Sequence, residues 1–166
     1  LAKIMHKAGL RIVFVGIESI NPESIKKSKR QNAPVDKQLR SLKILESEGI
    51  SVKAMFILGF PGDTKNNALN TIKYALKLPI TYLQFSVFTP YPGTPIFDEY
   101  KDIITAKKYE DFTQWDLVFK HEDIDQRDVK FLLDKVYSDF YKSIPKLIKI
   151  FYRLAKIELR KRFGIF

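Results

Sequence analysis

The sequence has 166 residues, 45% of them hydrophobic and 13% aromatic, which is enough apolar material for a domain with a buried core. It contains no cysteine, which excludes a disulfide, a thiolate nucleophile and cysteine ligands for zinc or an iron–sulfur cluster within this chain. The formal net charge is +10. Because the lysines are spread along the chain, we interpret the charge as a solvated surface, with a basic nucleic-acid-binding module as the alternative function.

Helix-like and strand-like segments alternate through the first 95 residues. Apolar residues at helical spacing alternate with short runs rich in β-branched residues, and glycine, asparagine and proline separate them. The predicted elements are a helix at Leu1–Ala8, a strand at Arg11–Val15, a short helix opened by Asn21 and Pro22, a helix at Asp36–Glu48, a strand at Val52–Leu58 buried on both faces, a helix at Ala68–Lys77 and a strand at Tyr82–Phe88. This order, with short connections, is typical of βαβ units and predicts an α/β fold with a parallel sheet.

The pattern changes after Pro95, so we divide the chain into residues 1–95 and a mostly helical extension at 96–166. We predict an irregular segment at Phe97–Trp115 and a helix at Asp125–Tyr141 with Asp125 as its cap. Pro145 ends that helix, and a basic amphipathic helix follows at Lys146–Phe163. We expect its apolar residues to pack on the rest of the protein, and contact with an anionic membrane is a less favoured alternative. These inward-facing residues are Leu147, Ile150, Phe151, Leu154 and Ile157.

Three unusual motifs lie at the ends of the three predicted strands. They are Gly16–Ser19, Gly59–Thr64 and Pro90–Pro95. Because crossover connections make the strands parallel, the carboxyl ends of all the strands lie at one edge of the sheet, where barrel enzymes gather their ligand-binding groups. We therefore expect the three motifs to lie around one binding site.

Each motif allows a binding role and a structural one. The Glu18 carboxylate can accept hydrogen bonds from the vicinal hydroxyls of a ribose or from an ammonium, or it can pair with a lysine. Gly59 lets the backbone pass close to a ligand, whereas Asp63 and Thr64 are better explained as caps of the following helix. Tyr91 can stack on a ligand or cover the mouth of the barrel.

Taken together and in this order, the three motifs resemble the C-terminal half of the radical S-adenosylmethionine (radical SAM) domain. The resemblance is strongest to the branch that often carries an N-terminal cobalamin-binding domain, and it extends more distantly to methylthiotransferases. It covers residues 1–95, and Phe140–Pro145 is similar to an element after the barrel in that branch. The resemblance implies the C-terminal half of a partial (β/α) TIM-like barrel with parallel strands, followed by a helical extension.

The resemblance also implies roles for particular residues. Glu18 matches the strand-end residue that contacts the ribose or methionine part of S-adenosylmethionine. Arg30, or Lys29 beside it, matches the basic residue that pairs with the methionine carboxylate, although a cation at a helix C-terminus has an equally good structural explanation. Ile57 and Phe88 would flank the adenine, and both are equally acceptable as core residues.

Two departures from the family pattern limit what this chain can do. Met55 stands where some relatives have an acidic ribose ligand, and the family's Cys-x-x-x-Cys-x-x-Cys motif is absent. The resemblance implies S-adenosylmethionine and a 4Fe–4S cluster whose ligands lie upstream of Leu1, with cobalamin held by a further domain. We expect no catalytic residue and no metal ligand in this chain. We expect an inactive fragment of a cytoplasmic enzyme, a methyltransferase or an oxidoreductase. Its partners would be a small-molecule substrate and the remainder of the same polypeptide.

Overall fold

The computed structural model describes residues 1–27 and 33–163. Up to Val87, each pair of successive strands is separated by one or two helices, as the sequence predicts, and helices dominate after Val87. The elements are α1 (Ala2–Lys7), β1 (Ile12–Glu18), α2 (Pro22–Lys27), α3 (Val35–Ser47), β2 (Ser51–Leu58), α4 (Lys65–Lys77), β3 (Tyr82–Val87), α5 (Pro95–Tyr100), 3₁₀ turns at Lys101–Ile103 and Tyr109–Asp111, α6 (Gln126–Tyr141) and α7 (Ile144–Phe163).

The three strands form one parallel sheet in the order β1–β2–β3, which confirms the predicted α/β fold. One face of the sheet is buried under α3, α4 and α6. Side chains from all three helices share a single core cluster with alternate residues of the strands, including Leu42, Ile72, Leu132, Val52 and Phe85. The other face is not covered in the described part of the chain, so β2 is buried on one face only and the expectation of two buried faces is wrong. On that open face Lys53, Met55 and Ile57 are half-buried.

The outer edge of β3 is closed by groups from the extension. The Tyr137 hydroxyl lies 3.1 Å from both the backbone nitrogen and the carbonyl oxygen of Phe85. The Tyr141 hydroxyl lies 3.4 Å and 3.1 Å from the same groups of Leu83. Further along the strand, the Val87 nitrogen donates to the Gln114 carbonyl at 2.7 Å. These bonds replace those that a further strand would make, which is how the protein avoids an unsatisfied sheet edge here.

The last helix, α7, docks on the rest of the protein through its basic side chains. Glu46 is only 8% exposed, and its carboxylate lies 3.1 Å from Lys149 Nζ and 3.3 Å from Arg153 Nη2. It also accepts hydrogen bonds from Thr81 Oγ1 at 2.8 Å and from the Val52 nitrogen at 2.9 Å. Burial and the neighbouring Lys149 lower the pKa of Lys146, whose ammonium donates to the Leu78 carbonyl at 2.7 Å.

This docking corrects the sequence prediction for α7. Phe151 and Leu154 were expected to face inward, yet they are 66% and 49% exposed. Leu147, Ile150 and Ile157 are half-buried, so that part of the prediction is confirmed. The helix begins at Ile144, which places Pro145 in its first turn, where the missing N–H costs nothing. In the described residues, no helix is long and apolar enough to cross a membrane.

Candidate functional site

The open face of the sheet presents its side chains in three rows that cross the strands. The first row is Phe14, Lys53 and Tyr82, and the second is Gly16, Met55 and Gln84, by direct register. The third row, at the carboxyl ends of the strands, pairs Ile57 with Ser86 beside Glu18. Two residues along a strand span about 6.6 Å, so the rows form one continuous surface.

A cleft of about 430 Å³ lies at the carboxyl ends of the strands. We call it the strand-end cleft. It has the composition of a small-molecule site, because apolar and aromatic residues predominate in its lining and a few polar residues accompany them. The residues that line it are Glu18, Met55, Phe56, Ile57, Ser86, Val87, Phe88, Thr89, Tyr91, Thr94, Ile96 and Gln114.

Glu18 is the only ionisable carboxylate among the residues that line this cleft in the described part of the chain. The register of β1 against β2 shifts between Gly16 and Glu18, and Glu18 has a φ of 68°. A non-glycine residue in this left-handed region is uncommon and strained. The irregularity brings the Glu18 carboxylate over Gly16, where an added Cβ would lie 2.6 Å from Oε1. Because Gly16 has no side chain, it leaves the space that the Glu18 carboxylate occupies.

Three other predicted site residues line the same cleft. Ile57 and Tyr91 are half-buried. Phe88 is 8% exposed and packs with ring centroids 5.2 Å from Phe60 and 5.9 Å from Phe119. Phe88 is therefore chiefly part of the aromatic core below the cleft, while Ile57 and Tyr91 are available to a ligand.

Of the remaining predicted binding residues, only Gly59 is described, and it is not part of the cleft lining. Gly59 is buried and has a φ of 71°, which accounts for glycine by backbone conformation. An added Cβ there would make only ordinary contacts with Leu117 and Val87 at 3.9 Å. Arg30 and Lys29 lie outside the described residues.

Asp63 has a different role from the capping role predicted for it. Thr64 caps α4, since its side chain accepts from the Asn67 nitrogen at 3.1 Å, as predicted. Asp63 is 3% exposed and accepts from Asn21 Nδ2 at 3.0 Å and from the Ser24 hydroxyl. It also accepts from the Phe60 nitrogen at 3.2 Å. The carboxylate therefore ties the segment that follows Glu18, at the end of β1, to the loop after β2.

Sequence reasoning missed several residues that line the cleft. Ser86 follows Gln84 in the alternating polar–apolar pattern of β3, and that alternation was a readable sign of a face not packed against helices. Gln114 has a φ of 66° and comes from the irregular segment, where no periodic pattern exists to place it. The requirement for glycine at position 16 could not be predicted, because it depends on the position of the Glu18 carboxylate in the folded protein.

Residues 1–75 match the family model described as Radical SAM superfamily. An uncharacterized methyltransferase of Pyrococcus horikoshii is 33% identical over 152 residues, which cover 90% of this chain and 33% of that relative. This chain belongs to the radical SAM superfamily. The bacteriochlorophyllide d C-12(1)-methyltransferase of Chlorobaculum tepidum is 25% identical over 120 residues, which cover 72% of this chain and 26% of the relative. The chain thus spans about a third or less of these curated relatives.

A solved structure of a radical SAM enzyme has the same fold. The methyltransferase TsrM from Kitasatospora setae, with cobalamin and a 4Fe–4S cluster bound, matches with a TM-score of 0.54 at 24% identity. The match covers 61% of this chain and 20% of that one. These comparisons confirm the family recognised from the three strand-end motifs and the barrel-type fold. They give no support to a nucleic-acid-binding module.

The residues of this chain fit one of the two cofactors that the radical SAM superfamily uses. The strand-end cleft offers apolar walls for an adenine and a carboxylate for hydroxyl or ammonium groups, which suits S-adenosylmethionine. The 4Fe–4S cluster does not fit, because the sequence contains no cysteine.

Proposed function

We propose that this chain provides the S-adenosylmethionine-binding strand ends of a radical SAM enzyme of the methyltransferase type. The observation that carries the proposal is Glu18, a strained residue at a strand end that lines the strand-end cleft. Strain of this kind costs about 1–3 kcal/mol and persists where the surrounding structure requires it, commonly at binding sites. The similar proteins that are named as methyltransferases support the reaction class.

Within the cleft, we assign binding roles by chemistry. The Glu18 carboxylate accepts hydrogen bonds from the ribose hydroxyls or the methionine ammonium, which are the donors that the cofactor offers. Met55 and Ile57 provide apolar contact for the adenine, and Tyr91 covers it from the loop after β3. Arg30 is proposed to pair with the methionine carboxylate, as the family resemblance implies.

The ligands of the 4Fe–4S cluster are proposed to come from a part of the polypeptide beyond these 166 residues. The fact that the chain spans a third or less of its curated relatives supports this proposal. Without those ligands the chain is inactive alone. Cobalamin is proposed as a further cofactor of the complete enzyme, because the neighbour TsrM binds it. The substrate is proposed to be a small molecule.

Binding of labelled S-adenosylmethionine to the full chain, measured by equilibrium dialysis, tests the role of Glu18. We expect Glu18→Gln to weaken binding about tenfold or more, since a hydrogen bond to a charged group is worth about 1.5–3 kcal/mol. Glu158→Gln is the matched control, because Glu158 is exposed on α7 at the opposite end of the sheet. Equal affinities for the two variants would refute the assignment.

Glu18→Gly provides a second test, in which stability and cofactor affinity should change in opposite directions. Glycine adopts a positive φ without strain, so we expect this variant to unfold at a higher denaturant concentration than the parent protein while binding the cofactor poorly. A variant that is both less stable and unable to bind would indicate a merely structural role for Glu18.

The cluster proposal has its own test. The coding sequence adjoining this chain should encode three cysteines with the family spacing, and the extended protein should take up iron and sulfide under anaerobic conditions. If no such cysteines are encoded there, this part of the proposal is wrong.

A further inference from the structure

A second cleft of about 620 Å³ continues from the first along the open face of the sheet. We call it the lower cleft. Gln84 lines it, and Ser86 two residues further along β3 lines the strand-end cleft. On β2, Lys53 lines the lower cleft and Met55, two residues further along, lines the strand-end cleft. Trp115 of the lower cleft directly follows Gln114 of the strand-end cleft in the chain. The residues that line the lower cleft are Ile12, Phe14, Lys53, Tyr82, Leu83, Gln84, Trp115, Tyr137 and Tyr141.

The lower cleft exposes an unusual amount of apolar and aromatic surface. Phe14 is 61% exposed, Trp115 47% and Ile12 39%. Single exposed apolar side chains are ordinary, but a contiguous concave group of them marks a binding surface. The volume falls within the range of about 300–1,000 Å³ that is typical of small-molecule sites.

A lone cation lies in this aromatic surface. Lys53 is half-buried between Phe14 and Tyr82 in the first row, and its Nζ lies 5.0 Å from the centroid of the Phe14 ring. Within the described residues it forms no ion pair, and no carboxylate lines the lower cleft there. The charge of this cleft is therefore complementary to an anion, and its walls are complementary to a planar ring system.

We propose that the lower cleft is a substrate subsite for a planar aromatic molecule that carries a carboxylate. The rings stack against Phe14 and Trp115, and the carboxylate pairs with the Lys53 ammonium. The proposal rests on the function proposed above in one respect: an occupant of the lower cleft would lie next to S-adenosylmethionine in the strand-end cleft. Binding of the aromatic acid in the lower cleft and binding of S-adenosylmethionine in the strand-end cleft can nevertheless be measured separately.

Mesoporphyrin IX and its uncharged dimethyl ester form a matched pair of probes, because both are planar and only one carries carboxylates. Trp115 is the only tryptophan of the chain, so quenching of its fluorescence reports on binding in this cleft. We expect the acid to quench saturably and the ester to bind at least about tenfold more weakly, given the strength of hydrogen bonds to charged groups. Equal affinities of acid and ester would overturn the proposal, as would an absence of saturable quenching by the acid.

Two lysine variants identify the cation. Lys53→Met preserves an unbranched side chain of similar length and should weaken the acid about tenfold while leaving the ester unchanged. Lys73→Met is the control, since Lys73 is exposed on α4 on the other side of the sheet. If both variants bind the acid equally well, the cleft is an apolar surface to be covered by protein rather than an acid-binding site, and the proposal is wrong.

Binding of S-adenosylmethionine to the same samples separates the two proposals. Lys53→Met should leave the affinity for S-adenosylmethionine unchanged. Cofactor binding without discrimination between acid and ester would refute the subsite alone. Lysine-dependent binding of the acid without any Glu18-dependent cofactor binding would refute the proposed function and leave the lower cleft as an acid-binding site.

Discussion

Replacing Gly16 by alanine should weaken cofactor binding without damaging the fold. The new Cβ would lie 2.6 Å from Glu18 Oε1 and 3.4 Å from its Cδ, and the described residues place no other non-neighbouring heavy atom within 4 Å of it. Gly16 is exposed and its φ is not in the left-handed region, so alanine meets neither a packed core nor backbone strain. The only group that has to move is the carboxylate.

The size of the effect follows from these distances. Oε1 has to withdraw from 2.6 Å to an ordinary contact distance of at least 3.4 Å, a displacement of about 0.8 Å. A shift of that size removes a well-formed hydrogen bond to a charged group, so we expect a loss of affinity for S-adenosylmethionine of about tenfold or more. Stability should stay the same or rise by about 0.4–1 kcal/mol, because alanine restricts the unfolded chain.

The assay combines equilibrium dialysis with urea unfolding. Gly9→Ala is the control, since Gly9 has a φ of 103° far from the cleft and alanine there should lower stability without changing affinity. In a Glu18→Gln background, Gly16→Ala should have little further effect, because the two changes act on the same group. Displacement of the Glu18 carboxylate is excluded if Gly16→Ala binds as tightly as the parent protein, or if its loss of affinity is the same with and without the Glu18 carboxylate.

Three further changes test how the fold is held. Glu46→Ala leaves the largely buried Arg153 without its carboxylate and should cost about 3 kcal/mol in urea unfolding; a loss under 1 kcal/mol would contradict the proposed docking of α7. Tyr137→Phe removes both bonds to Phe85 and should cost about 1–2 kcal/mol at neutral pH. Burial raises the pKa of Tyr137. The extra free energy of unfolding of the parent protein is therefore complete below pH about 10, the ordinary tyrosine pKa, and should shrink as the pH rises through the folded pKa. Urea unfolding at several alkaline pH values would show this decrease. Asp125→Ala removes the α6 cap and should cost about 1 kcal/mol, and an unchanged melting curve would exclude that role.

The sequence was sufficient for the parallel sheet and for the general position of the site, and the reason is local. Apolar runs such as Val52–Leu58 and the turns that follow them are read from neighbouring residues, and the geometry of parallel crossovers then brings the strand ends together. The same local logic identified Thr64 and Asp125 as helix caps, since each bonds to a backbone nitrogen three residues away.

Features that depend on distant residues could not be predicted in this way. Asp63 bonds to Asn21, which is 42 residues away, and a local interpretation assigned it to the helix beside it. The positive φ of Glu18 depends on the register of β1 against β2, which the letters of one strand do not contain. In α7 the periodicity revealed an apolar stripe but not which side docks, because Glu46, 107 residues before Arg153, attracts the cationic side.

The two edges of the sheet differ in what they can still bind, and this limits how the barrel can be completed. The outward backbone groups of β3 are taken by Tyr137, Tyr141 and the Gln114 carbonyl, so a strand could pair there only by displacing α6. In the described residues β1 pairs with β2 alone, and its open-face side chains Ile12 and Phe14 are exposed. A further strand of this sheet, if the complete enzyme supplies one, would therefore pair with β1. In that arrangement Phe14 and Lys53 become part of the barrel interior, directly below the strand-end cleft, which is the place that a substrate beside the cofactor would occupy.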